Sequence, residues 1–188
     1  PTVAFQGELG AFSETAAREV KAFDPDQIIL LPLYPQFSTT TTGSSLQEWH
    51  RAAKAVELDR PTRAICCYPC EEGYIQGLAE LIRPAIAEAE KQISGSARVR
   101  VLFSAHGLPE KNIARGDPYQ WQIERTSAGV AETLATAMDR PDLDSAVCYQ
   151  SRVGRLKWIG PALDDELLRA GRDGIGVVVV PIAFVSEH

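Results

Sequence analysis

The chain has 188 residues, 45% hydrophobic and 23% charged, the proportions of a globular domain rather than a disordered chain. Nineteen Lys and Arg against 25 Asp and Glu leave a formal charge of −6, which argues against a nucleic-acid groove or a polybasic membrane anchor. Four Cys are too few for a disulfide scaffold, so a reducing compartment is the default, and no apolar run approaches the ~18 residues of a spanning helix.

The opening PTVAFQGELGAF has neither a basic n-region nor an apolar h-region, so it does not read as a signal peptide. Residues 27–33 (QIILLPL) form the first almost unbroken apolar run. Next comes a helix-period segment from Ser44 to about Val56. Its Ser44-Ser45-Leu46-Gln47 start has the capping-box pattern of Ser followed three residues later by Gln. A weaker strand signal at 63–67 (RAICC) follows. The segment from Glu71 to about Ile93 then carries Ile75, Leu78, Ile82, Ile86 and Ile93 as a helical stripe, with Pro84 predicting a kink or break. The run VRVLFS (99–104) is the third strand signal. Asp117 is placed to cap a helix with Pro118 at its first position, running to about Met138. A strand at 145–149 (SAVCY), a short helix from Pro161 to about Ala170 stopping at Gly171, and the β-branched strand 175–180 (IGVVVV) complete the series. Runs apolar on both faces suit central parallel strands covered by helices, 175–180 above all. The alternation predicts an α/β sandwich with a mostly parallel sheet. Ser94-Gly95-Ser96 reads as a helix–strand turn, and no domain linker is evident.

In such a sheet the chemistry gathers at the carboxyl ends of the strands. After the first run stands Tyr34-Pro35-Gln36-Phe37-Ser38, with a Thr-rich loop to Ser45. Ala105-His106-Gly107-Leu108-Pro109 follows the third, and Gln150-Ser151-Arg152-Val153-Gly154 the fourth. Pro181 to His188 follows the fifth. The Thr-rich loop suits either a phosphate cradle or a helix cap, and without the Lys and glycine spacing of a P-loop the cap is favoured. His106 taken alone suits a structural imidazole or a base or ligand. Gly107 and Pro109 beside it imply a tightly shaped loop, which favours function. Trp158 suits the core or a flat wall for a planar ligand. Cys67 and Cys70 have CxxC spacing but no second pair, which speaks against a metal site.

The blocks LPLYPQFS (31–38) with TTGSS (41–45), FSAHGLP (103–109), GDPY (116–119), QSRVG (150–154) with Trp158, and PIAFVSEH (181–188) occur in this order. Together they resemble the ferrochelatase family, which inserts ferrous iron into protoporphyrin IX to form protohaem, the last step of haem biosynthesis. The resemblance runs from about Phe12 to His188. It implies a chelatase-like fold, a Rossmann-like three-layer α/β sandwich with a mostly parallel sheet, expected to be truncated at both ends. Residues 12–188 would hold the end of the first half-domain and most of the second.

By the resemblance His106 is the catalytic base or a metal ligand. Tyr34 and Trp158 fall on aromatic residues that line the porphyrin cleft, Phe184 is expected as a further wall for the planar macrocycle, and Glu187 and His188 are expected to join His106 around the metal. The family's catalytic Glu falls two residues past His188. Thr39 stands where some members have a cluster-ligating Cys, so no [2Fe–2S] cluster and no permanently bound cofactor is expected, with ferrous iron as substrate. The implied partners are protoporphyrin IX and iron, with no nucleic acid, no transmembrane segment, and a peripheral membrane contact as one option. The implied localisation is cytoplasmic. Residues 1–11 (PTVAFQGELGA) depart from this pattern and resemble instead the opening of prephenate dehydratase. No Thr-Arg-Phe motif follows, since Thr62-Arg63 precedes Ala64. A non-catalytic porphyrin- or metal-binding fragment and a prephenate dehydratase are the alternatives.

Overall fold

The computed structural model describes residues 11–93 and 98–185. Their order is α1 (Ala11–Phe23), β1 (Ile28–Leu30), α2 (Thr42–Ala55), β2 (Thr62–Ala64), α3 (Glu72–Gln92), β3 (Val99–His106), α4 (Glu110–Ala114), α5 (Tyr119–Ala137), β4 (Asp144–Gln150), α6 (Leu163–Asp173) and β5 (Gly176–Pro181). Strands alternate with helices and every ladder is parallel, the mixed α/β architecture that the apolar runs predict. The chain divides into two compact units, Pro1–Cys67 and Tyr68–His188. The boundary falls inside the CxxC stretch, where no linker is legible in the sequence. Residues 1–10, residues 94–97, where the helix–strand turn of Ser94-Gly95-Ser96 is expected, and residues 186–188, Glu187 and His188 among them, lie outside the described residues.

In the first unit β1 pairs with β2, Ile28 opposite Thr62. Small residues let α1 and α2 approach closely: Ala17, Ala52 and Val56 are buried together, with Trp49 and Leu58 packed against them. The apolar run 27–33 yields only a three-residue strand, because Pro32 cannot donate to a ladder. Burial on both faces is not observed there. Ile28 is buried, but Ile29 is 64% and Leu31 55% exposed, since β2 is the one ladder partner of β1 among the described residues.

Helix α2 begins at Thr42, two residues before the predicted start, and the Ser44 capping box does not form. Ser44 Oγ instead donates back to the Thr40 and Thr41 carbonyls at 3.1 and 2.9 Å, the bond a serine makes inside a helix. The Thr-rich loop before it is knotted on Ser38. The Ser38 carbonyl accepts the N–H groups of Thr41 and Gly43, and Ser38 Oγ accepts that of Thr40. Those donors are spent within the loop, so it is a helix entry rather than a phosphate cradle.

In the second unit β3 lies between β4 and β5. The β-branched run 175–180, expected at the centre of the sheet, is an edge strand among the described residues. Val101 and Phe103 point to one side, where Ile75, Ile82 and Ile86 of α3 and Ile123, Val130 and Leu134 of α5 bury them. Each such side chain contributes about 1.5–3 kcal/mol of hydrophobic stabilisation. Helix α6 packs on the sheet as well, on the side to which the alternate residues Leu102 and Ser104 turn. Arg100 closes the amino ends of the strands. Its Nε reaches both Asp144 oxygens at 3.0 Å and its Nη1 reaches Asp173 at 3.3 Å.

Three helix signals resolve differently from expectation. Helix α3 runs through Pro84 without a break. Pro84 sits on the exposed face, where the carbonyl it orphans meets water, while Ile82 and Ile86 anchor the other face. Asp117 does serve α5, its Oδ1 accepting the Tyr119 N–H at 3.0 Å, although the helix starts one residue after Pro118. Helix α6 runs on through Gly171 and stops at Gly174, which takes the left-handed φ of 66° that a C-terminal cap requires. Helices α1 and α4 have no counterpart among the segments expected from the sequence.

Candidate functional site

The carboxyl ends of β3, β4 and β5 are joined by main-chain bonds that gather three loops. His106 is the last residue of β3. The Gly107 N–H donates to the Gln150 carbonyl at 2.8 Å, tying this loop to the end of β4. The Ile182 N–H donates to the Ser104 carbonyl at 3.0 Å, tying in the end of β5. The Ile159 N–H donates to the Leu108 carbonyl at 2.9 Å, and Pro109 bridges Trp158, so the loop after β4 folds back beside the loop after β3.

Two aromatic rings meet this frame. Phe184 contacts the His106 ring edge to face, with centroids 5.4 Å apart and planes at 83°. Trp158 lies over Gly107 so closely that a Cβ on Gly107 would stand 3.2 Å from its ring. The indole Nε1–H donates to the Val153 carbonyl at 3.1 Å, which fixes the ring plane. His106 is half-buried, reachable yet restrained. An imidazole with Phe184 against its ring and Trp158 over the next residue can take up a proton from a planar ligand laid against those rings.

Tyr119 and Tyr74 were missed in the sequence. Tyr119 is buried, and its phenol is pushed well above the usual range by burial, with a hydrogen bond to the His106 backbone opposing the rise. The Tyr74 hydroxyl donates to the Ile182 carbonyl at 2.9 Å. Tyr119 stands in the GDPY block, a signal that was visible without a role; Tyr74 sits in the α3 stripe with no motif around it. The loop 151–157 is exposed and carries Arg152, Arg155 and Lys157 between Val153, 71% exposed, and Leu156, 50% exposed.

The structure thus brings together His106, Trp158 and Phe184 of the predicted residues. Tyr34 is half-buried in the first unit, in the loop after β1. Glu187 and His188 lie outside the described residues, so of the expected metal set only His106 is described. Among the described residues no three His, Cys, Asp or Glu cluster to hold a metal ion, and no helix is long and apolar enough to cross a membrane. A cavity of about 380 Å³ lies elsewhere, between α3 and α5, lined by residues such as Cys70, Glu72, Arg125 and Glu132.

The sequence model of the ferrochelatase family matches residues 9–188. A ferrochelatase of Caulobacter vibrioides (strain NA1000 / CB15N) is 52% identical over 176 residues, 94% of this chain and 47% of its own. One of Phenylobacterium zucineum (strain HLK1) is 50% identical over 177 residues, 94% of this chain and 48% of its own. One of Wolbachia sp. subsp. Drosophila simulans (strain wRi) is 45% identical over 177 residues, 94% of this chain and 54% of its own. The chain spans about half the length of the curated relatives it matches.

Proposed function

Because the chain belongs to the ferrochelatase family, we propose that it carries the proton-accepting part of a site that inserts ferrous iron into protoporphyrin IX to form protohaem. The observation that carries this reading is the setting of His106: the end of the central strand, half-buried, with Phe184 against its ring and Trp158 over the next residue. A free porphyrin has two inner N–H groups that must leave as the metal enters. A neutral imidazole accepts such a proton at neutral pH. Trp158 and Phe184 supply apolar walls of the kind a planar macrocycle needs, and Tyr34 is assigned to the porphyrin on the family resemblance alone. Ferrous iron accepts imidazole and carboxylate ligands, so His106, Glu187 and His188 are the residues assigned to the metal as it is delivered. Residues 12–188 are read as the end of one half-domain and most of the next.

The same reading places the protein in the cytoplasm with no nucleic-acid partner, in keeping with the net charge of −6. No resident cofactor is assigned, since Thr39 takes the position of a cluster Cys. A peripheral membrane contact would use the loop 151–157, whose exposed Val153 and Leu156 stand among three cations. The prephenate dehydratase alternative is not favoured by the family match, and ten of the eleven residues on which it rests lie outside the described ones. The test is anaerobic iron insertion by a chain extended to the length of its relatives. His106→Ala is expected to lower the rate roughly 10²-fold or more, the scale of general acid–base catalysis, with porphyrin binding retained. Activity within a few-fold of the parent would overturn the assignment.

A further inference from the structure

Ile182 is fully buried just beyond β5, and both of its main-chain polar groups are engaged. Its N–H donates to the Ser104 carbonyl of β3 at 3.0 Å. Its carbonyl accepts the Tyr74 hydroxyl at 2.9 Å, a bond spanning 108 positions. Two residues on, Phe184 makes its edge contact with the His106 ring. Tyr74 is itself well held. It lies in the first turn of α3, where its N–H donates to the Glu71 carboxylate at 2.6 Å. Its ring packs against the core of the second unit and meets Tyr68 edge-on, with centroids 6.0 Å apart.

A residue just past a strand end has no ladder to orient its peptide plane. The bond to the Ser104 carbonyl fixes one side of Ile182, and the Tyr74 hydroxyl fixes the plane that leads on to Ala183 and Phe184. Rotation of that plane would swing Phe184 relative to the strand, and an edge-to-face aromatic contact is sensitive to such a swing. We propose that Tyr74 is a positioning residue, which holds the Ile182 carbonyl, thereby seats Phe184 against His106, and so sets the orientation of the imidazole. The role of that orientation in proton transfer rests on the function proposed above; Tyr74 itself touches neither iron nor porphyrin in it.

The chain has three His, so the ring protons of His106 can be followed by NMR in the whole 188-residue protein, with His106→Gln for assignment. The spectra are taken at a pH where the imidazoles are neutral. Phe184→Leu removes the aromatic neighbour and marks where the His106 resonances fall when the contact is lost. Tyr74→Phe deletes only the hydroxyl. It is expected to move the His106 ring protons most of the way toward the Phe184→Leu positions while those of His50 stay in place. Tyr68→Phe, which removes a hydroxyl one ring away, is expected to leave His106 unshifted. His106 resonances unmoved in Tyr74→Phe would overturn the proposal. So would the absence of a nuclear Overhauser contact between the Phe184 and His106 rings in the parent protein, whatever the variant does. None of these readouts requires turnover, so failure of the positioning role and failure of the proposed activity are separate results.

Discussion

Gly107 leaves the least room for change in the site, and its replacement by Ala gives a magnitude that follows from distances. A Cβ at this position would lie 3.2 Å from the Gln150 carbonyl oxygen, 3.2 Å from Trp158 Cε3 and 3.6 Å from Arg152 Cγ. Carbon contacts are most favourable at about 3.5–4.0 Å, so the indole must withdraw by roughly 0.3 Å or more. It is poorly placed to do so, with its Nε1–H bonded to Val153 and its main chain bridged to Pro109. The Gln150 carbonyl is likewise held by the Gly107 N–H at 2.8 Å. Overpacking of this kind costs about 1–3 kcal/mol. With a urea dependence of about 1–3 kcal/mol per molar, the unfolding midpoint should fall by roughly 1 M. The chain has three Trp, so the measurement is made in a Trp49→Phe, Trp121→Phe background, where fluorescence and near-ultraviolet dichroism report Trp158 alone. Gly77→Ala is the control. No heavy atom lies within 4 Å of a Cβ at Gly77, and in the α3 interior the exchange should stabilise by up to about 1 kcal/mol. If Gly107→Ala unfolds at the parental midpoint with an unchanged Trp158 spectrum, the crowding argument is refuted.

Arg100→Met should destabilise the second unit by about 1–2 kcal/mol, below the value for a fully buried pair because Asp144 and Asp173 remain partly solvated. A double-mutant cycle should assign most of the coupling to Asp144, which Arg100 grips with two nitrogens; equal coupling to Asp173 would contradict this. The buried Cys148 thiol, which donates to the Phe103 carbonyl at 3.6 Å, is pushed up to about 11 by burial first and then by Glu166. Its folded value lies above the unfolded 9.0, so both states are protonated below pH 9 and the thiol has no effect there. From pH 9 to about 11 the unfolded chain releases a proton that the folded chain keeps, so stability falls. At about 1.4 kcal/mol per unit the loss is on the order of 2–3 kcal/mol. Cys148→Ala should flatten urea midpoints between pH 9 and 10 and lessen the slope from pH 10 to 11, where the phenols of Tyr119 and Tyr149, raised from 10.0, keep a decline of their own. An undiminished slope in the variant would count against the thiol as its source.

The sequence by itself determined the local pieces and their order. Apolar runs such as VRVLFS and helical stripes such as Ile75, Ile82 and Ile86 are properties of contiguous segments, so the strands, the main helices and the parallel α/β class were legible. So was the placing of His106 at a strand end, and with it the family resemblance. Position within the sheet was not legible. The valines of 175–180 look the same in a central strand as at the edge where β5 lies among the described residues. Helix ends were misplaced where two residues compete for one role. Gly171 and Gly174 both look like terminators, and the cap falls to Gly174 because that residue takes the left-handed conformation. Ser44 matches a capping pattern, yet the loop closes around Ser38 and spends the hydroxyl of Ser44 on carbonyls behind it. The setting of His106 was decided by tertiary structure alone. Trp158 over Gly107, Phe184 against the imidazole and Tyr74 on Ile182 join residues that stand from 51 to 108 positions apart. Such contacts exist only once the parallel strands have set three loops side by side, because a parallel ladder brings together chain ends that a local pattern has no means to relate.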